Sequence, residues 1–434
     1  MKRVWLFSLI CVLPFVSVGQ VDKLFKKVKD KVNYRVDKNV NKAIDKSLDE
    51  AEQSVKNGGN SGGATSTSTN NNTAPNTPDN PTTSTVLKSY ARYDFVPGEK
   101  VIYANDFATD NMGELPTGWN SNGSGAVVTI SGQKGNWAQF YQNSVYLTDN
   151  KESFTENFTV EFDLILRREN PKVAFPVLAF GFFASGTEST TSNDFLKEYA
   201  RNFATELKIQ PYDNNASHLH YESLELHKRF LNTDIRKTPQ LEKYFNKVIH
   251  VAMQVQKERL RIWMNEEKLY DLPKAIKAGT DFNQLFFAVK RYGGADSEVG
   301  YNVTNIKIAK GIPDTRHKLI DEGAFSTTGI LFDVNTATIK PESNGVLTEI
   351  AGILKKHTDV KIKIVGHTDS DGPDASNLEL SRKRSGAVKD ALVKDFGIDA
   401  KRIETEGKGE SAPVADNKTK EGKAGNRRVE FIKL

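Results

Sequence analysis

Gly366-His367-Thr368-Asp369-Ser370-Asp371-Gly372 is the stretch on which the fold turns. Before it, Val360 to Val365 places Ile362 and Ile364 on one side, the alternation of a strand. After it, a helix is expected from about Asp374 to Phe396, stopped by Gly397. An acid directly after a buried strand stands at the strand end, where ligands collect in sheets of this kind. Gly372 relieves the turn, and Asp374 is placed to cap the helix. Asn377, Leu380, Ser381 and Arg384 follow at helical steps and share a face, with Leu380 inward at its edge. Asp369 and Arg384, on different elements, can together grip a molecule bearing an ammonium next to a carboxylate.

Working outward, residues 320–434 alternate strands and helices. Gly329-Ile330-Leu331-Phe332 is expected as a strand, and Pro341 to His357 as a helix with Val346, Leu347, Ile350, Ile353 and Leu354 on one face. Arg402 to Glu406 and Val429 to Leu434 supply two more strands. Such patterning implies one mixed sheet covered by helices. Asp333 either lines the pocket or only ends the first strand. Arg427 and Arg428 precede Val429 and alternate, so one must face away, and Arg428 is expected toward the site.

Three linked blocks carry a family resemblance: Thr368-Asp369-Ser370-Asp371-Gly372, Asn377-Leu378-Glu379-Leu380-Ser381-Arg382-Lys383-Arg384 and Asn426-Arg427-Arg428-Val429. In order and spacing they resemble the peptidoglycan-binding domain of the OmpA family (OmpA, MotB and Pal types), over roughly the last quarter of the chain. The resemblance implies a ligand, the meso-diaminopimelate of the peptidoglycan peptide stem, whose distal centre carries an ammonium and a carboxylate. It implies that Asp369 accepts from the ammonium and that Arg384 forks onto the carboxylate, as a planar guanidinium does better than an ammonium. Thr368 and Asn377 would add neutral contacts, and Arg428 would touch the ligand or fix the pocket wall.

Residues 90–312 have another texture. Val127 to Ile130, Phe158 to Leu164, Val248 to Met253, Leu260 to Trp263 and Leu285 to Val289 read as half-buried strands. Trp263 to Tyr270 reads as a hairpin, and Asn193 to Lys208 as an inserted helix or long loop. The pattern suggests a β-sandwich. It resembles the jelly-roll of concanavalin-like and laminin-G-like domains, which implies a glycan or protein partner. The chain shows no set of amphipathic membrane strands suited to an outer-membrane barrel.

At the other end, Lys2-Arg3 and the apolar run Val4 to Val18 read as a signal sequence, residues 1–19, implying export to the periplasm. Cys11, the single cysteine, lies inside it, so the remaining chain has no disulfide or thiolate metal site, and Ile10 argues against a lipoprotein cysteine. Residues 20–56 carry an apolar stripe at Leu24, Phe25, Val28, Val32, Val36 and Val40, an amphipathic helix suited to self-association or a membrane surface. Residues 57–89 are a flexible linker of Gly, Ser, Thr, Asn and Pro, spanning on the order of 30 Å as a coil. With 434 residues and a net charge of only +5, the chain is multidomain and no nucleic-acid partner is indicated.

Enzymatic signals are sparse. The sandwich class includes glucan hydrolases with three alternating carboxylates on one strand. Here Glu161 and Asp163 share a face, but Ile165 takes the third position, leaving no general acid. The two acids are expected to be solvated strand residues, with a wall-localised carbohydrate-active enzyme as the alternative reading. His218 and His220 alternate near His227 without a convincing third ligand, so they are expected to be surface histidines. No cofactor or metal is called for, and no catalytic residue is assigned.

Overall fold

A computed structural model of the chain describes residues 93–434, apart from residue 239 and residues 291–293. The expectations for residues 1–19, 20–56 and 57–89 lie outside the described residues.

Between Lys100 and Lys310, alternating apolar residues build two antiparallel sheets of eight strands each. In the first, Asn157–Arg168 lies between Val248–Gln256 and Val299–Lys310, and the edge hairpin pairs Arg259–Met264 with Glu267–Leu272, as Trp263 to Tyr270 foretold. The second places Leu178–Ala184 between Phe203–Gln210 and Gln284–Val289. Every second residue of Asn157–Arg168 enters a shared core: Phe158, Val160, Phe162, Leu164 and Leu166. Phe162 meets Phe180 and Phe287 of the opposite sheet edge-on, with centroids 5.0 and 5.3 Å apart. Burying such a ring stabilises by about 2–3 kcal/mol. The segment expected as helix or loop is split, a short helix at Asn193–Lys197 and a full strand at Phe203–Gln210.

Glu161 and Asp163 face out of that core, yet are only 3% and 5% exposed. The expectation that they are solvated is corrected here. The outer face of the first sheet is covered, in part by Tyr93 and Phe95 packed on Ala252 and Trp263. His250 on the neighbouring strand bridges the acids, Nδ1 lying 2.8 Å from Asp163 and Nε2 3.5 Å from Glu161. Lys307 reaches Glu161 at 3.0 Å, and Asn305 donates to Asp163 at 2.8 Å. Lys307 also points at the Thr328 carbonyl, where the C-terminal sheet begins.

The C-terminal sheet has four strands, β1 (Ala324–Thr327), β2 (Ile362–His367), β3 (Ile403–Gly409) and β4 (Val429–Lys433), in the order β1-β4-β2-β3. Only β2 and β3 run parallel. Helices α1 (Asn344–Lys356) and α2 (Asp374–Lys394) share its core through Val346, Leu347, Ile350, Leu354, Val388 and Leu392. A short α3 (Lys420–Asn426), not foreseen, lies against Lys100–Asn105. There Lys420 reaches Asn105 at 2.8 Å and the buried Asp110 at 2.9 Å.

Two local expectations need correction. The first strand is Ala324–Thr327, not Gly329 to Phe332, which makes only an isolated bridge from Phe332 to Ile339. Its backbone is satisfied by loop partners instead, Leu331 receiving from Lys340 and donating to the Ser343 hydroxyl. Asp374 does not cap α2; it is the first helical residue after Pro373.

Close approach of α2 to β2 depends on Gly366. A Cβ there would stand 2.3 Å from the Ser381 carbonyl oxygen. Gly366→Ala is therefore expected to lower stability by about 1–3 kcal/mol, the usual cost of overpacking. Urea denaturation would show it, with a reduced midpoint.

Candidate functional site

The site lies where β2 ends and α2 begins. Thr368 and Asp369 are 4% and 8% exposed, so the acid is held in the wall rather than waving in solvent. Asp369 Oδ1 accepts from the Asp371 amide at 3.3 Å, and Oδ2 accepts from Arg427 Nη1 at 2.5 Å. The Thr368 hydroxyl is buried with no partner among the described residues.

Arg384 approaches from α2. Its Nε donates to the Thr336 carbonyl at 3.1 Å, and its guanidinium lies over the Phe332 ring, 4.8 Å from the centroid. Ring and carbonyl together fix the plane of the fork. The two terminal nitrogens make no hydrogen bond among the described residues, leaving a pair of parallel donors for a carboxylate. Burial pushes the Arg384 pKa down; the charge of Asp369 opposes that and the charge of Arg427 adds to it. The acid and both cations thus stand within electrostatic reach of one another.

Asn377 plays another part than expected. It is buried, and its Nδ2 donates to the carbonyls of Asp369 and Asp371 at 3.3 and 3.2 Å and to Glu410 at 2.5 Å. Instead of reaching over the pocket, it ties the acidic loop to the helix. Asn377→Ala would leave the buried Asp369 carbonyl, the Asp371 carbonyl and the Glu410 carboxylate without this donor, a cost of about 1–3 kcal/mol. Chemical denaturation should register that loss, and ligand affinity should fall with it as the loop loosens.

Arg428 does not take the ligand-facing place expected of it. Its side chain is buried away from Asp369, bonded to Glu430 at 2.6 Å and to the Ala412 carbonyl at 3.1 Å. With His367 Nε2 at 3.4 Å, this holds the Glu430 carboxyl down at about 2: the His367 contact lowers it most, burial opposes, and Arg428 adds to the lowering. Arg427 is the residue that faces the site. Strand alternation misjudged the pair because β4 starts only at Val429 and Arg427 caps α3. Asp333 is exposed on the loop that carries Thr336, its backbone oxygen accepting from the Thr336 amide at 3.0 Å. It belongs to the rim beside Arg384, not to the wall.

Phe332, Thr336 and Glu410 were not singled out from sequence, and nothing local marks them. Of the histidines, His220 pairs with Asn232 at 2.7 Å and His218 stacks on Tyr212, while His227 is exposed. Glu161 and Asp163 are buried and paired with His250, and Glu161 also with Lys307.

The C-terminal domain thus sets an acid at a strand end and, on the following helix, a guanidinium whose two terminal nitrogens are unpaired among the described residues. Residues 331–427 match the family model described as the OmpA family, and this C-terminal part is an OmpA-family domain. Outer membrane porin F of Pseudomonas fluorescens is 46% identical over 101 residues, 23% of this chain and 31% of that protein. Probable lipoprotein YiaD of Escherichia coli is 44% identical over 102 residues, 24% of this chain and 46% of that protein. The chain thus spans less than half the length of these two relatives. Among solved structures, the peptidoglycan-associated lipoprotein from Burkholderia pseudomallei matches with 28% identity and a TM-score of 0.23, covering 26% of this chain and 92% of that one.

Proposed function

We propose that this is a non-catalytic protein of the cell envelope that binds peptidoglycan through residues 320–434. The ligand group is the distal zwitterion of meso-diaminopimelate in the peptide stem. Asp369 accepts from the ammonium, sharing its carboxylate with Arg427, while Arg384 forks onto the carboxylate. Thr368 offers its unpaired hydroxyl, Asn377 positions the loop, and Asp333 stands at the rim. The observation that carries this reading is the pre-set Arg384 fork, stacked and anchored but unpaired at its two outer nitrogens among the described residues.

The names of the relatives support an envelope setting, and in this reading the protein is periplasmic, associated with the outer membrane and the wall. In this layout residues 1–19 direct export, and 20–56 with the linker 57–89 tether the protein, by self-association or at a membrane surface. Residues 90–312, read as a concanavalin-like jelly-roll sandwich, carry a glycan or protein partner.

Pull-down by purified sacculi tests the reading. The protein is expected in the pellet and should be displaced by soluble stem peptide containing diaminopimelate. Absence from the pellet at micromolar concentrations would dismiss it.

A further inference from the structure

We propose that the outer edge of the second sheet, residues 226–237, docks on an anionic lipid surface, independently of the wall-binding site. Lys228–Asn232 and Arg236–Lys237 both pair with His218–Glu225, so this ribbon is the last of its sheet. It displays Leu226, Phe230 and Ile235 at 61%, 42% and 66% exposure, three of the few large apolar side chains left in solvent among the described residues.

Leu226 and His227 form the hairpin tip, with φ of 49° and 67°. Tips of that shape favour Asn and Gly, and a leucine there is conformationally strained as well as exposed. Folding gains nothing from that choice. Around the apolar residues stand Lys228, Arg229, Arg236 and Lys237 against Asp234 alone, so the ribbon carries four minus one, or +3. Arg229 is paired with Glu222 at 3.3 Å, and Arg236 with Glu267 at 3.5 Å besides bonding the Leu269 carbonyl, whereas Lys228 and Lys237 are exposed and make no ion pair among the described residues.

Cations on an edge strand are a known guard against unwanted strand pairing. That accounts for the lysines and not for Leu226 and Ile235, which would promote association; Phe230 is half accounted for, its ring meeting Phe203 edge-on at 5.3 Å while 42% of it stays in solvent. Apolar tips set among cations suit an interface in which rings and methyls enter below negatively charged headgroups.

Flotation of the full chain with vesicles of phosphatidylglycerol and phosphatidylethanolamine tests this, with phosphatidylcholine vesicles as the neutral control. The chain is expected to float with the anionic vesicles only, and less so as salt rises. Lys228→Glu with Lys237→Glu should lower the partition coefficient about tenfold or more. Leu226→Asn should lower it several-fold without lowering the thermal midpoint, because asparagine accepts the left-handed backbone. No flotation, or equal flotation of wild type and variants, overturns the proposal. So does a dimer in sedimentation velocity that these same substitutions disperse, since the ribbon would then be a self-pairing edge.

Discussion

Arg384→Ala is expected to weaken binding of a diaminopimelate stem peptide by on the order of 100-fold, and to abolish retention on sacculi at micromolar protein. The substitution removes two charge-assisted hydrogen bonds, each worth roughly 1.5–3 kcal/mol. Because Arg384 is held by the Phe332 ring and the Thr336 carbonyl, its loss leaves α2 otherwise intact. Arg384→Lys should recover little, since an ammonium cannot supply the paired donors. Asp369→Ala should be as damaging, and it also strands Arg427. Calorimetry with a peptide amidated at the distal carboxylate separates binding from a general folding defect. Wild type should lose affinity for the amidated peptide, while Arg384→Ala should bind both forms equally weakly. Wild-type retention of the Asp369→Ala/Arg384→Ala double variant on sacculi would overturn the assignment.

The second large effect concerns stability. Burial alone would push the His250 pKa down, but hydrogen bonds and charge from Asp163 and Glu161 hold it up at about 9. Both acids are correspondingly held below the usual carboxylate range: burial raises them, and the stronger joint pull of His250 with Lys307 on Glu161, and of His250 with Lys340 and Asn305 on Asp163, lowers them. A histidine raised on folding contributes stability that is complete below its unfolded value of about 6.5 and is lost as pH rises through about 9. The difference amounts to about 3 kcal/mol. Denaturation midpoints should therefore fall between pH 6.5 and 9.5. His250→Gln should flatten that limb and, at pH 6, cost about 3–5 kcal/mol, because it leaves buried carboxylates short of their cation. An unchanged pH profile in His250→Gln would show that another group governs it.

Much of the C-terminal domain was legible in the sequence because its information is local. Ile362 and Ile364 declare a strand, the stripe from Val346 to Leu354 declares a helix, and the spacing from Asp369 to Arg384 sets an acid at a strand end against a helical base. The two-sheet region was legible only where alternation was clean. Leu178–Ala184 is apolar on both faces, since the segment around Phe195 covers its outer side, and Phe203–Gln210 carries Glu206 and Lys208 in a covered cluster. Neither shows the in-out rhythm of a half-exposed strand.

What the sequence by itself determined is the order of elements around Thr368 to Gly372, with Asp369 after a strand and Arg384 on the helix that follows, because strand and helix periodicities are written in short spans. Only the tertiary structure decided that Arg427 rather than Arg428 meets Asp369, that Asn377 braces the loop, and that Glu161 and Asp163 lie buried against His250. Each of those outcomes depends on which surface a distant segment covers, and burial by a distant segment leaves no mark in local spacing.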